Sequence, residues 1–119
     1  MNSRLISVLI LCLFTACYYD IEEELVDAPE CNELNIGFAQ EILPIIQNRC
    51  YKCHSSNLNL GNVTLQGYTA LKQYVDNGRL WGAINHDPGF SPMPQNEMML
   101  PECEIKMIGT WISDGAKNN

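Results

Sequence analysis

The chain has 119 residues and a net charge of −7 at pH 7, which leaves room for one domain and excludes the basic face that nucleic-acid binding needs. The acidity is uneven: Asp20 to Glu33 holds seven acidic residues and no Lys or Arg, whereas Leu34 to Asn119 holds seven acidic and six basic, a net of −1. The globular part is therefore nearly neutral, and the charge belongs to a leader.

Met1 to Arg4 is a short positive region followed by the apolar run Leu5–Phe14. That run is about half the length of a bilayer-spanning helix, and its flanks are those of a secretory signal. It ends in Leu13-Phe14-Thr15-Ala16-Cys17. This resembles the lipobox of bacterial lipoproteins, with Phe14 where Leu is commonest, which implies a signal peptide over residues 1–16 and lipidation of Cys17. An ordinary cleavable signal with Cys17 as a bystander is the alternative. Two or more acyl chains suffice for stable anchoring. Residues 17–35, acidic and interrupted by Pro29, read as a self-repelling tether between membrane and domain. The domain itself is assigned to residues 36–119.

The segment from Gly37 to Asn48 carries Phe38, Ile42, Ile45 and Ile46 at helical spacing, with Pro44 in their midst. An interior proline removes a hydrogen bond and clashes with the preceding turn. Either the helix kinks there or its regular part begins at Leu43-Pro44. The helix delivers Cys50-Tyr51-Lys52-Cys53-His54. Two thiols at i and i+3 share one helical face, and a Cys-x-x-Cys-His run reads as covalent haem attachment. Both sulfurs reach the vinyl groups along one porphyrin edge, and His54 is carried under the ring as an axial ligand. Competing readings of the pair are a zinc site, which needs about four ligands, and a thioredoxin-like site, which wants a βαβ context.

Ser55 to Gly67 is polar and reads as a loop, briefly extended at Val63-Thr64-Leu65. A helix over Tyr68–Asp76 follows, stopped by Asn77-Gly78, then a second short helix over Arg79–Asn85. His86 to Pro101 contains Pro88, Gly89, Pro92, Pro94 and Pro101, which forbid regular structure. Glu102 to Asp114 is the last helix, with Gly115 as its stop and an Ile105, Ile108, Ile112 stripe flanked by Met107 and Trp111. Gly109 within it costs on the order of 1 kcal/mol relative to Ala, and a close approach by another helix would justify it. The fold class is all-α, with three to five short helices.

Thioether sulfur suits the second axial position of a low-spin electron-transfer haem. Met93, in Ser91-Pro92-Met93-Pro94, is preferred, because flanking prolines stiffen its backbone and a stiff loop loses little entropy on binding. Met98 and Met99 are further candidates, and Met107 is a core filler. His86 is the runner-up ligand, with capping or hydrogen bonding near the haem edge preferred as its role. Cys31 and Cys103 are then the two thiols left over. An oxidising compartment permits a disulfide between them, closing a loop of about 70 residues worth roughly 4 kcal/mol. Two separate buried thiols is the alternative.

The order of helix, Cys-x-x-Cys-His, loop, short helices, Met-Pro turn and terminal amphipathic helix resembles a class I monohaem cytochrome c domain. It is most similar to bacterial lipoprotein members that close on a Trp-Ile-x-x-Gly-Ala run, here Trp111-Ile112-Ser113-Asp114-Gly115-Ala116. The likeness covers roughly Phe38 to Ala116. It implies a cytochrome c-like fold around one covalent haem c, held by Cys50 and Cys53 and ligated through iron by His54 and Met93. In that family the first and last helices cross at a small residue and an aromatic, roles open here to Gly37, Phe38, Gly109 and Trp111. The implied function is one-electron transfer between a redox donor and acceptor, on the periplasmic side of a bacterial membrane, without catalysis by this chain alone. The pocket lining is expected from Leu58, Leu65, Leu71, Val75, Ile84, Phe90 and Leu100, and propionate donors from Arg79, Trp81 and Tyr68. Without haem the chain is expected to bury a marginal core and be largely molten. A haem-based sensor or gas binder, and an accessory haem subunit of a membrane oxidoreductase, are the rival functions.

Overall fold

The computed structural model describes residues 31–119; the expected signal segment, Cys17 and most of the acidic tether lie outside them. Among the described residues there are five short α-helices and no strand: α1 Leu43–Arg49, α2 Tyr51–His54, α3 Tyr68–Asp76, α4 Arg79–Ile84 and α5 Glu102–Ser113. None is long and apolar enough to cross a membrane.

Pro44 explains how the chain begins. Phe38–Ile42 is wound as a π-helical turn, closed by the Leu43 N–H donating to the Phe38 carbonyl five residues back. The wider turn puts Pro44 in the first turn of α1, where a missing N–H leaves no bond unmade. The Gly37 N–H donates to Glu41 Oε2 at 2.8 Å, so a first-turn carboxylate satisfies one of the orphan donors of the helix start.

The core lies where this turn, α3 and α5 meet. Ile42, Ile46, Leu71, Ile108 and Trp111 are its largest fully buried side chains, each worth about 1.5–3 kcal/mol of burial. Phe38 stacks on Trp111 at 5.8 Å between centroids and meets Tyr68 edge-on at 5.2 Å. The buried stripe of α5 is centred on Ile108 and Trp111, with Ile105 and Ile112 only partly covered. Gly109 faces α4: a Cβ there would lie 2.8 Å from the Trp81 ring. The close approach expected at Gly109 therefore comes from Trp81, while the contact with the first helix belongs to Phe38 and Trp111.

Both ends of the described chain are fastened. Cys31 and Cys103 form a disulfide across 72 residues, attaching the end of the expected tether to the first turn of α5. After α5, Gly115 takes φ 93 and the Ala116 N–H donates to the Trp111 carbonyl at 2.8 Å, a Schellman-type stop. The following residues fold back: Lys117 O accepts from the buried Trp111 indole at 2.9 Å. Asn119 then caps the π turn, its side-chain oxygen accepting from Phe38 N–H at 3.1 Å and its backbone carbonyl from Ala39 N–H at 2.9 Å. Replacing Cys31 and Cys103 together by Ser should lower stability by up to about 4 kcal/mol, the loop-closure value for a link of this length. Urea unfolding of the two proteins reads that difference directly.

Candidate functional site

Against the core, which contributes Leu65, Leu80, Ile84 and Leu100 to the wall, α1 to α4 and the loops after α2 and α4 surround a cavity of about 550 Å³. That is within the usual range for a small-molecule or cofactor site. Its apolar wall includes Leu65, Leu80, Ile84, Phe90 and Leu100. Leu65, Ile84, Phe90 and Leu100 were expected there. Leu71 is buried in the same core but does not reach the wall, Val75 packs against that core away from the cavity, and Leu58 is more than half exposed.

Cys50, Cys53, His54 and Met93 all line this one cavity. Cys50 ends α1, its N–H donating to the Ile46 carbonyl, and its own carbonyl accepts from Cys53 and His54 N–H at 3.1 and 2.8 Å. The two thiols and the imidazole thus sit on a single continuous turn. The loop beyond folds back on it: Leu65 N–H donates to the His54 carbonyl at 2.8 Å, and Ser56 N–H and hydroxyl both donate to Gln66 Oε1 at 2.8 Å. This return brings the Val63 carbonyl to 3.2 Å from His54 Nδ1. A carbonyl oxygen only accepts, so Nδ1 carries the proton and the Nε2 lone pair is left for a ligand bond. Metal-binding histidines characteristically have their second nitrogen tied in this way.

Met93 enters from the proline-rich segment after α4. Its N–H donates to the Ala83 carbonyl at 2.9 Å, its carbonyl lies 3.1 Å from His86 Nε2, and the Met93–Pro94 peptide is cis. His86, the runner-up axial ligand, has that nitrogen engaged by the carbonyl and is not part of the cavity wall. Met98 is almost fully exposed and Met99 half exposed, while Met107 lies on α5 with its sulfur 3.8 Å from Cys103 Sγ.

Three cations border the cavity. Arg49 is held by Glu104 of α5, with its closest contact at 2.7 Å, and Lys52 pairs with Glu97 across the mouth. Arg79 has no carboxylate partner among the described residues, and its guanidinium lies 5.4 Å from the Tyr74 ring centroid, a cation–π distance. It is therefore the cation free to meet an anionic ligand edge. The other two expected donors are committed elsewhere. The Tyr68 hydroxyl donates to Ala116 O at 2.8 Å, and the Trp81 ring covers Gly109.

Burial, with a smaller contribution from the Glu104 carboxylate, pushes the Cys50 thiol up to about 11.

The residue chemistry fits haem c. Two thiols share a face, an imidazole has Nε2 free, a thioether enters from another segment, the inner wall is apolar and a cation stands at the rim. Cys31 and Cys103, bonded to each other, cannot complete a zinc site around Cys50 and Cys53. Comparisons with protein-family models, with curated proteins and with solved structures find no match to this chain.

Proposed function

We propose that residues 36–119 form a monohaem c-type cytochrome domain of the class I type that carries single electrons between redox partners. The observation that carries this reading is the convergence of Cys50, Cys53, His54 and Met93 on one cavity, with His54 Nδ1 bonded to the Val63 carbonyl. When bound, haem c supplies ferrous–ferric one-electron chemistry, and tuning and shielding fall to the protein.

Cys50 and Cys53 would hold the haem through their sulfurs, and His54 would offer Nε2 to the iron, its ring angle set by the Val63 carbonyl. Met93 would offer a soft sulfur, which favours a high potential. With His54 and Met93 both on the iron, the domain would carry electrons and turn over no substrate. Arg79 would serve a propionate. The acidic leader and a lipid on Cys17 would hold the domain at the periplasmic face of a bacterial membrane, where a protein donor and acceptor can reach it.

The test is expression of the full chain together with the c-type maturation machinery, followed by a pyridine-haemochrome spectrum and an intact mass. The expected result is one haem with two saturated vinyl groups and a mass increased by haem on the mature chain. A mature chain recovered without haem would overturn the proposal.

A further inference from the structure

We propose that His86 is a positioning residue for Met93: it fixes the backbone from which the thioether reaches the cavity. The inference rests on the axial role of Met93 proposed above. In Pro92-Met93-Pro94 only Met93 has a backbone N–H, and that N–H is bonded to Ala83 O at 2.9 Å. The remaining polar group of the Met93 backbone, its carbonyl, is met by His86 Nε2 at 3.1 Å. A carbonyl cannot donate, so Nε2 carries the proton and the imidazole is the donor.

Ala83 O also accepts from His86 N–H at 3.3 Å. One carbonyl at the end of α4 therefore anchors both the histidine and the methionine it holds. The seat beneath the loop is rigid. Asp87 N–H donates to Gly82 O at 2.9 Å, and the Phe90 ring lies so close to Gly82 that a Cβ there would come within 2.4 Å of it.

The backbone of His86 gives an independent reason. It takes φ 55, a left-handed conformation uncommon outside glycine, asparagine, aspartate and histidine and costly by about 1 kcal/mol or more. A turn alone would be made more easily by glycine. An imidazole kept at this cost, with its far nitrogen on the Met93 carbonyl, contributes through its side chain. Its role is to keep Met93 from swinging out of the cavity, so it sets how readily the sulfur leaves the iron.

The experiment uses the full haem-loaded chain and the variants His86→Leu, which cannot donate, and His86→Gln, whose amide nitrogen occupies a similar position. The readouts are the long-wavelength absorption of a thioether–ferric bond, the affinity of the ferric protein for added imidazole, and the reduction potential. His86→Leu is expected to bind imidazole about tenfold more tightly, the equivalent of one lost hydrogen bond, with a weakened thioether band and a lower potential. His86→Gln should return all three toward the parent protein. In the parent itself, nitrogen NMR of the reduced protein should find His86 protonated at Nε2. Parent-like imidazole affinity and potential in His86→Leu, whatever its thermal stability, would overturn the inference, and so would an unprotonated Nε2. A parent protein that carries covalent haem but lacks the thioether band would instead refute the ligand role of Met93, and the inference with it.

Discussion

Replacing Cys50 and Cys53 together by Ser should leave a chain whose intact mass contains no haem. Any haem that still enters would be held by His54, Met93 and apolar contact alone. The consequence extends beyond attachment. A thioether-linked haem is part of the chain and cannot dissociate, so its contribution to stability does not depend on concentration. A dissociable one stabilises by RT ln(1 + [L]/Kd). The melting temperature of the double variant should therefore rise with added haem, while that of the parent should not. Without haem the space of about 550 Å³ is open to water, and a domain of this size then buries only a marginal core. The double variant without haem should therefore lose its cooperative thermal transition, while the cluster of Ile42, Ile46, Ile108 and Trp111 preserves part of its helical circular dichroism. A sharp, haem-independent melt would contradict this.

Met93→Ala should have the second largest effect. Removing the sulfur opens one axial position, so the spectrum should move from low-spin toward high-spin and the reduced protein should bind carbon monoxide rapidly. The potential should fall by on the order of 0.1–0.3 V, a fraction of the ~0.8 V that axial ligands span. The structure supplies its own controls. Met98 is 89% exposed, and Met107 sits on α5 beside Cys103; alanine at either should leave the spectrum and the potential unchanged. An unchanged spectrum in Met93→Ala would remove Met93 from the iron.

Helix extents were legible because short-range punctuation sets them. Gly67 and Gly78 bracket α3, Pro101 and Gly115 bracket α5, and each acts through its own φ or missing N–H. Pro44 was legible as a conflict, and a regular helix beginning at Leu43-Pro44 was one of its two readable solutions; the π turn that precedes it is a choice of backbone register that no side chain announces. The site divides in the same way. Cys50, Cys53 and His54 share one turn, so their spacing alone brings them together, and the prolines around Met93 drew attention to it. Val63 was missed because its contribution is a carbonyl, which every residue owns. His86 was legible as a capping or hydrogen-bonding group near the haem edge, but its partner, the Met93 carbonyl, was not, because that depends on the path of the intervening loop. On residue type Leu58 reads as pocket lining and Tyr68 and Trp81 as propionate donors, and tertiary packing directs each elsewhere.

Asn119 on the first turn and Cys31 on the last helix reverse the usual pattern of fraying. Chain ends are ordinarily the loosest part of a domain. Here the amides of Phe38 and Ala39 are covered by Asn119, and that of Ala116 is bonded within the closing turn of α5. The long exposed stretches lie inside the sequence, at 88–92 and 95–99 in the proline-rich segment and at 56–62, the last between the histidine turn and the return to Leu65. Hydrogen exchange should accordingly be slow at the amides of Phe38, Ala39 and Ala116 and fast in these interior loops. Local opening of the loop at 56–62 would loosen the Val63 carbonyl from His54 first, so the proximal imidazole would feel a partial unfolding long before either end of the domain came free.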